Sequence, residues 1–345
     1  MNAVRIHAHG GIDQLRYEDA EEPQLTSADD AIVRLHAASV NPMDICIRHG
    51  LHGMEVDFPH ILGSDGAGTV VATGARVRNV QSGAPVCLYP ASECGHCDLC
   101  VTDREYMCAH LRILGQRQQG TYAEFIRVPA RNCFPIPAEL SFEEAAALPF
   151  VYITVWRMLI TNAELKPGES VLIRGIGGGV ATAALQLAAY LGTHTLVTAG
   201  SDEELFLAKN LGAEHAIDDR CADFSQEVRN HTGKRGVDVV VDCVGGDGWS
   251  KSLAALAKGG RLVTCGAIAG AKPQTDVRRI FWNHLKVFGS TLGTREEFGH
   301  VLSFMKSSRT KPMIDQVFCL KDAAKAHQRI TEGKQFGKII LRMDG

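Results

Sequence analysis

Residues 170–191 read SVLIRGIGGGVATAALQLAAYL, and this stretch decides the fold. Ser170 to Arg174 has the length and apolar content of a buried strand, and Val180 to Leu191 is apolar on nearly all sides, as in a buried helix. The turn between them, Arg174-Gly175-Ile176-Gly177-Gly178-Gly179-Val180-Ala181, lets backbone N–H groups approach a pyrophosphate at the positive end of the helix. Gly178, Gly179, Val180 and Ala181 are therefore the expected dinucleotide contacts. A glycine-rich turn can also serve close packing alone, so its setting matters: this one follows a strand, opens a helix and begins a longer alternation.

That alternation continues downstream. Strands are expected at Ser170 to Arg174, Thr195 to Ala199, His215 to Ile217, Val237 to Val241, Arg261 to Cys265 and Lys286 to Gly289, with a helix from Glu203 to Leu211 ended by Gly212. Six such strands make a complete doubly wound α/β sheet, a Rossmann domain. Upstream, residues 1–150 are punctuated by Gly and Pro between short runs such as Ala31 to Leu35, Gly68 to Ala72 and Tyr122 to Val128, which reads as a β-barrel. Beyond Arg295 come one more helix and a last strand, Lys338 to Leu341. At 345 residues and 45% apolar, the chain exceeds one core and can fill two.

The cofactor follows from the second strand's end. A ribose-binding acid is expected there, yet Thr198-Ala199-Gly200-Ser201 offers only small groups, with room for a 2′-phosphate beside Ser201. NADPH is the expected cofactor, with NADH as the alternative. Asp202, Glu203 and Glu204 would repel the phosphate if they pointed inward, although helix N-termini commonly carry such acids. Arg220, after the third strand, is the candidate phosphate contact or else a solvated surface arginine.

Cys94, Cys97, Cys100 and Cys108 follow the pattern C-x2-C-x2-C-x7-C, the spacing of a four-thiolate zinc cage. Four sulfur ligands leave no open position, so one structural zinc in a lobe at about 94–108 is expected. Two disulfides or four unrelated thiols are the alternative, suited to a secreted chain. The first residues, MNAVRIHAHGGID, hold no apolar signal segment and no long apolar run follows, so a cytoplasmic location is expected. A net charge of -3 without a basic run argues against nucleic acid and anionic membranes, and for a small-molecule partner.

With these features the chain resembles the medium-chain dehydrogenase/reductase superfamily, which joins zinc alcohol dehydrogenases with quinone and enoyl reductases. The resemblance rests on Asn41-Pro42-Met43-Asp44, Leu62-Gly63-Ser64-Asp65-Gly66-Ala67-Gly68, the cysteine lobe, the 175–181 loop, Val241-Asp242-Cys243-Val244-Gly245, Cys265-Gly266-Ala267 and Gly337-Lys338. It implies a GroES-like β-barrel domain, 1–150 and 291–345, with a Rossmann domain, 151–290, inserted. It also implies cofactor contacts from Asn41, Thr154, Cys243, Val244, Gly266, Ala267, Leu292 and Lys338, and a homodimer or homotetramer paired through the sixth strands. Zinc-dependent members hold a catalytic metal where this chain has Asn41, Ser64-Asp65 and Phe150, which do not make a zinc site.

Without that Lewis acid, reduction of a C=C conjugated to a carbonyl is the expected reaction, because hydrogen-bond donors suffice for an enolate. Asn41 either donates to the substrate carbonyl or opens the turn before Pro42. Tyr152, Cys46, His52 or water would protonate the α-carbon. His49, His52 and His60 otherwise read as loop residues, and Phe58, Phe150, Tyr152 and Trp282 as pocket-shaping or core aromatics. Two other functions are compatible: an alcohol or aldehyde dehydrogenase with atypical ligands such as Cys46, His49 and Asp65, and an NADPH-binding sensor without turnover.

Overall fold

Ser170–Ile173 and Gly179–Tyr190 form the strand and helix either side of the glycine turn in the computed structural model, which describes residues 1–51, 53–220 and 223–343. The chain divides into one unit of Met1–Phe150 with Thr294–Gly345 and a second of Val151–Gly293. In the second unit the strands are Ser170–Ile173, His194–Ala199, His215–Asp218, Val237–Val241, Leu256–Thr264 and Lys286–Gly289. Their spatial order is third, second, first, fourth, fifth, sixth, all parallel. The first and fourth strands are neighbours although the chain leaves the sheet in opposite directions from them, and ligands of such sheets bind at the carboxyl ends beside this switch point. Helices pack against these strands, and Val171, Leu172, Ile173, Val239, Val240 and Val241 form unbroken apolar runs and are all buried, as in a parallel sheet covered on both faces.

Two features depart from the sequence reading. The fifth strand begins at Leu256, directly from the helix Trp249–Ala255, and its pairing with the fourth is irregular between Val237 and Val239. Its Lys258-Gly259-Gly260 segment carries no strand pattern, so only the apolar end was legible. A helix, Pro149–Trp156, also runs straight into a π-helical stretch, Arg157–Asn162. The run of β-branched and aromatic residues Val151-Tyr152-Ile153-Thr154-Val155 hides it from propensity.

The first unit is organised by the eleven-residue strand Asp30–Val40. Its first half pairs with Phe125–Pro129, its second half with Lys338–Arg342 from the far end of the chain, and Asp65–Thr73 lies along its other side. Register shifts near Val33 and Leu35 bend it, so that one strand serves two edges. A three-stranded sheet of Arg16–Asp19, Asn2–Ile6 and His60–Ile61 joins through the Ala3–Ala123 bridge. Both sheets share one core containing Val4, Ile6, Val33, Leu35, Ile126, Ile339 and Leu341.

Candidate functional site

Three strand ends meet in the first unit. Register places Ser39 opposite Asp65 and Val40 opposite Ile339, so the residues next in line, Asn41, Asp65 and Lys338, become neighbours. All three are buried. Asp65 Oδ2 accepts from Ser39 Oγ at 2.6 Å, Asn41 Nδ2 at 2.8 Å and Lys338 Nζ at 3.2 Å, while Oδ1 accepts from the Phe150 N–H at 2.7 Å. Lys338 Nζ also donates to Asn41 Oδ1 at 2.6 Å and Val40 O at 3.3 Å. A buried ion pair of this kind is tolerable because every proton of the ammonium has an acceptor and the carboxylate is ringed by donors. Lysine can only donate and a carboxylate only accept, so together they decide which way the Asn41 amide faces. Its second N–H has no hydrogen-bond partner among the described residues.

A second buried chain supports Asn41 from below. Asn41 caps the helix Pro42–His49, and its backbone N–H donates to Asp44 Oδ2 at 2.8 Å. Asp44 also accepts from Tyr122 Oη at 3.0 Å and the Gly63 N–H at 3.3 Å. Arg48 donates to His327 Nδ1 at 3.1 Å, which places the imidazole proton on Nε2, directed to Tyr122 Oη at 3.1 Å. Burial raises the Asp44 carboxyl to about 6 despite these donors. Burial and the Arg48 charge lower His327 to about 3.

The four lobe cysteines also come together. Sγ separations are 3.8 Å for Cys94–Cys100, 3.4 Å for Cys97–Cys100, 3.8 Å for Cys97–Cys108 and 3.6 Å for Cys94–Cys108. A tetrahedron with zinc–sulfur bonds of about 2.3 Å has edges of roughly 3.8 Å, so the cluster fits that ion. Backbone N–H groups of His96 and Cys97 draw the Cys94 thiol down to about 6, toward the thiolate a metal needs. Among the described residues this is the one group of three or more His, Cys, Asp or Glu side chains able to hold an ion. Glu93, next to Cys94, anchors the lobe through a bidentate pair with Arg295 at 2.6 and 2.8 Å.

In the second unit the glycine turn is tied to the second strand. The Gly175 N–H donates to Thr198 Oγ1 at 3.1 Å and the Ile176 N–H to Thr198 O at 3.0 Å. Gly175 has φ +68° and lies against Val244, where a side chain would be both strained and crowded. Gly178 is the helix N-cap without a side-chain cap, and a Cβ built on it meets nothing within 4 Å. A helix N-terminus with no side-chain cap, and with open space beside its capping glycine, fits a pyrophosphate. The turn after the fourth strand is pinned by Asp242, which accepts from the Val244 and Gly245 N–H groups at 3.0 and 2.9 Å and pairs with buried Arg174 at 2.8 Å.

The remaining sequence candidates fall as follows. Tyr152 is buried, its hydroxyl donates to Gln186, and burial pushes its pKa up. Thr154 lies buried on the same helix, and Leu292 is held at φ +46°, a left-handed conformation costly for leucine. Cys46 and His49 are exposed on the helix Pro42–His49, and His52 lies outside the described residues. His60 is no loop residue: it is buried in a short strand, bonded to Gly115 O at 3.0 Å, and burial lowers its pKa. Trp282, read as a pocket or core aromatic, is 75% exposed on a helix near the edge of the sheet. Ser201 caps its helix through the Glu204 N–H at 3.1 Å, and Glu204 folds back onto the Gly200 N–H at 2.7 Å. Arg220 binds Asp218 at 2.7 Å and Asp202 at 2.6 Å, so two of the nearby acids are already engaged. Sequence reasoning missed the engagement of Asp65 with Lys338; the signal was a lone lysine opening an apolar strand, Lys338 to Leu341.

Residues 27–138 match the family model of the alcohol dehydrogenase GroES-like domain, and residues 179–307 that of zinc-binding dehydrogenases. An alcohol dehydrogenase of Geobacillus stearothermophilus is 31% identical over 336 residues, 96% of this chain and 96% of its own. The quinone oxidoreductase of Homo sapiens is 28% identical over 348 residues, 99% of this chain and 97% of its own. Among solved structures, an NAD-dependent alcohol dehydrogenase superposes with a TM-score of 0.96 at 36% identity, covering 100% of both chains.

Proposed function

The chain belongs to the medium-chain dehydrogenase/reductase superfamily, and on that premise we propose that it is an NADPH-dependent reductase of activated double bonds, in quinones or α,β-unsaturated carbonyls, that works without a catalytic metal. The observation that carries this reading is the saturated Asp65 carboxylate, bonded to Ser39, Asn41, Lys338 and Phe150. A metal would have to displace Lys338 and then find its other ligands in an amide, a Ser64 hydroxyl that already donates to Leu114 O at 2.8 Å, and a phenylalanine. These donors do not fit catalytic zinc. The four-cysteine lobe fits one structural zinc, held by Cys94, Cys97, Cys100 and Cys108.

Bound NADPH supplies a hydride. The chain's own part is to steady the negative charge that then gathers on the acceptor's oxygen, and the spare N–H of Asn41, oriented by Lys338 and Asp65, is suited to it. Protonation of the α-carbon falls to water, Cys46 or His52, since Tyr152 is committed to Gln186. Gly178, Gly179, Val180 and Ala181 cradle the pyrophosphate, and Cys243, Val244, Gly266, Ala267 and Leu292 serve the nicotinamide half. NADPH is favoured over NADH because no acid ends the second strand and Arg220 can exchange Asp202 for a 2′-phosphate. The acceptor is a small molecule, and the enzyme assembles through the exposed edge strand Lys286–Gly289. No helix is long and apolar enough to cross a membrane, and a cytoplasmic place is part of the proposal.

Relatives named alcohol dehydrogenases, at 31% and 36% identity, favour a second reading, interconversion of alcohols and carbonyls. Anaerobic oxidation of NADPH and NADH against enones, quinones and aldehydes, with and without chelator, separates the two. Turnover of conjugated acceptors that survives chelation supports the first; alcohol oxidation abolished by chelation supports the second.

A further inference from the structure

Cys243 and Cys265 are the residues immediately beyond Asp242 and Thr264, at the carboxyl ends of the fourth and fifth strands. These strands are adjacent and parallel, with Val241 opposite Val263, so two residues further on the cysteines stand side by side with their Sγ atoms 3.3 Å apart. Neighbouring strands are spaced about 4.8 Å, inside the Cα separation of roughly 4.4–6.8 Å that a disulfide spans. Both residues are partly exposed, Cys243 with its thiol turned inward against Cys265, so an oxidant can reach the pair at Cys265. The turns that carry them are laced together: the Ala269 N–H donates to Val244 O at 2.8 Å, and a Cβ on Gly266 would lie 3.1 Å from Cys243 O. As thiols in contact, the two offer each other only a weak hydrogen bond, which adds little to stability.

We infer that Cys243 and Cys265 form an oxidisable dithiol site, closed to a disulfide by hydroperoxides, whose closure weakens dinucleotide binding at the adjacent turns. In the reaction the Cys265 sulfur attacks the peroxide, breaking its O–O bond and giving a sulfenic acid and one water, or the corresponding alcohol when the hydroperoxide is organic. The Cys243 sulfur then attacks that sulfenic sulfur, and the sulfenic hydroxyl leaves as water with the Cys243 proton as the S–S bond forms. Both thiols are oxidised by two electrons in total and one hydroperoxide is reduced. Cys265 acts first because Cys243 holds its proton: its hydrogen bond to Cys265 and its burial both raise its pKa. Closure shortens the sulfur separation from 3.3 Å to about 2.05 Å. That draws together the turns bearing Val244 and Gly266, which is where the consequence for the coenzyme rests on the function proposed above.

The test treats the reduced, zinc-loaded full chain with hydrogen peroxide, with and without prior saturation by NADPH. Peptide mapping scores the cross-link, fluorescence titration gives the NADPH dissociation constant, and released zinc is measured in parallel. The expected result is a Cys243–Cys265 cross-linked peptide, dissociation weakened at least ten-fold, reversal by dithiothreitol and protection by NADPH. Cys265→Ser should lose both the cross-link and the oxidant's effect on NADPH. Separate sulfinic acids without a cross-link, an unchanged dissociation constant in the cross-linked protein, or weakening that tracks zinc release and persists in Cys265→Ser would each overturn the inference. Failure of the untreated chain to bind either coenzyme refutes the proposed function and the effect on binding, whereas the cross-link is still scored by mass.

Discussion

Lys338→Met is the substitution that bears hardest on the buried cluster. It keeps most of the aliphatic stem and removes an ammonium that donates to Asp65, Asn41 and Val40. Asp65 then retains the hydroxyl, amide and backbone donors but loses the one cation hydrogen-bonded to it among the described residues. Removing one partner of a buried pair costs about 3–5 kcal/mol, because the other charge stays buried without compensation. With an m-value of about 2 kcal/mol/M, the urea midpoint of the first unit should fall by about 2 M. Removing both charges should rescue part of the loss. Lys338→Met combined with Asp65→Asn leaves no charge in the cluster, so its loss should fall short of the sum of the two single losses by at least about 1 kcal/mol. Urea unfolding at pH 7 measures all four proteins. A single variant within about 0.5 kcal/mol of the parent, below the usual cost of a surface change, or strictly additive losses, would refute the coupling of Lys338 to Asp65.

Other expectations follow from the same geometry. Asn41→Ala should lower kcat for enone reduction about 100-fold, the usual scale for losing an oxyanion donor, with the NADPH dissociation constant changed far less; steady-state kinetics and a binding titration check it. Arg220→Ala should raise KM for NADPH about ten-fold or more while leaving NADH nearly unaffected, and an equal effect on both would remove Arg220 from phosphate recognition. In the pH dependence two buried groups oppose each other. His327, lowered to about 3, contributes stability present above its unfolded value near 6.5 and lost as pH falls toward 3, whereas Asp44, raised to about 6, gives up stability as pH rises from about 3.8 to 6. Asp44→Asn should therefore leave the histidine unopposed, and its urea midpoint should fall more steeply than the parent's between pH 6 and 4. The proposed assembly through the strand Lys286–Gly289 is tested by Val287→Lys combined with Trp282→Glu on the preceding helix: light scattering should give an oligomer for the parent and a monomer for the variant, and an oligomeric variant would refute that interface.

The cofactor unit was legible because its physics is local. Val-rich runs such as Val237 to Val241, a glycine turn and short helices announce a parallel sheet from sequence spacing alone. The cysteine lobe was legible for the same reason, since Cys94, Cys97, Cys100 and Cys108 lie within fifteen residues. The Asn41 cluster was not, because Lys338 reaches it across 297 positions, through a strand that pairs with Asp30–Val40 only once the chain's end returns. The resemblance to zinc-dependent relatives marked which ligands were missing; it gave no sign that an ion pair fills the space. His60 was misread for a related reason: its burial comes from pairing with the first strand, Asn2–Ile6, and from Gly115, neither of which is near it in sequence. The helix Pro149–Trp156 was hidden by β-branched residues whose preference is overridden by packing.

The central claim is that hydride reaches a conjugated acceptor whose anion is steadied by amide dipoles oriented by Lys338 and Asp65, with the one metal of the chain confined to the cysteine lobe. Metal analysis of the purified enzyme during timed chelation, with enone reduction followed on the same samples, tests it most directly. One zinc per chain, with turnover retained while the fold persists, is the result expected. Two zinc ions per chain, with activity vanishing as the first is withdrawn, would contradict it.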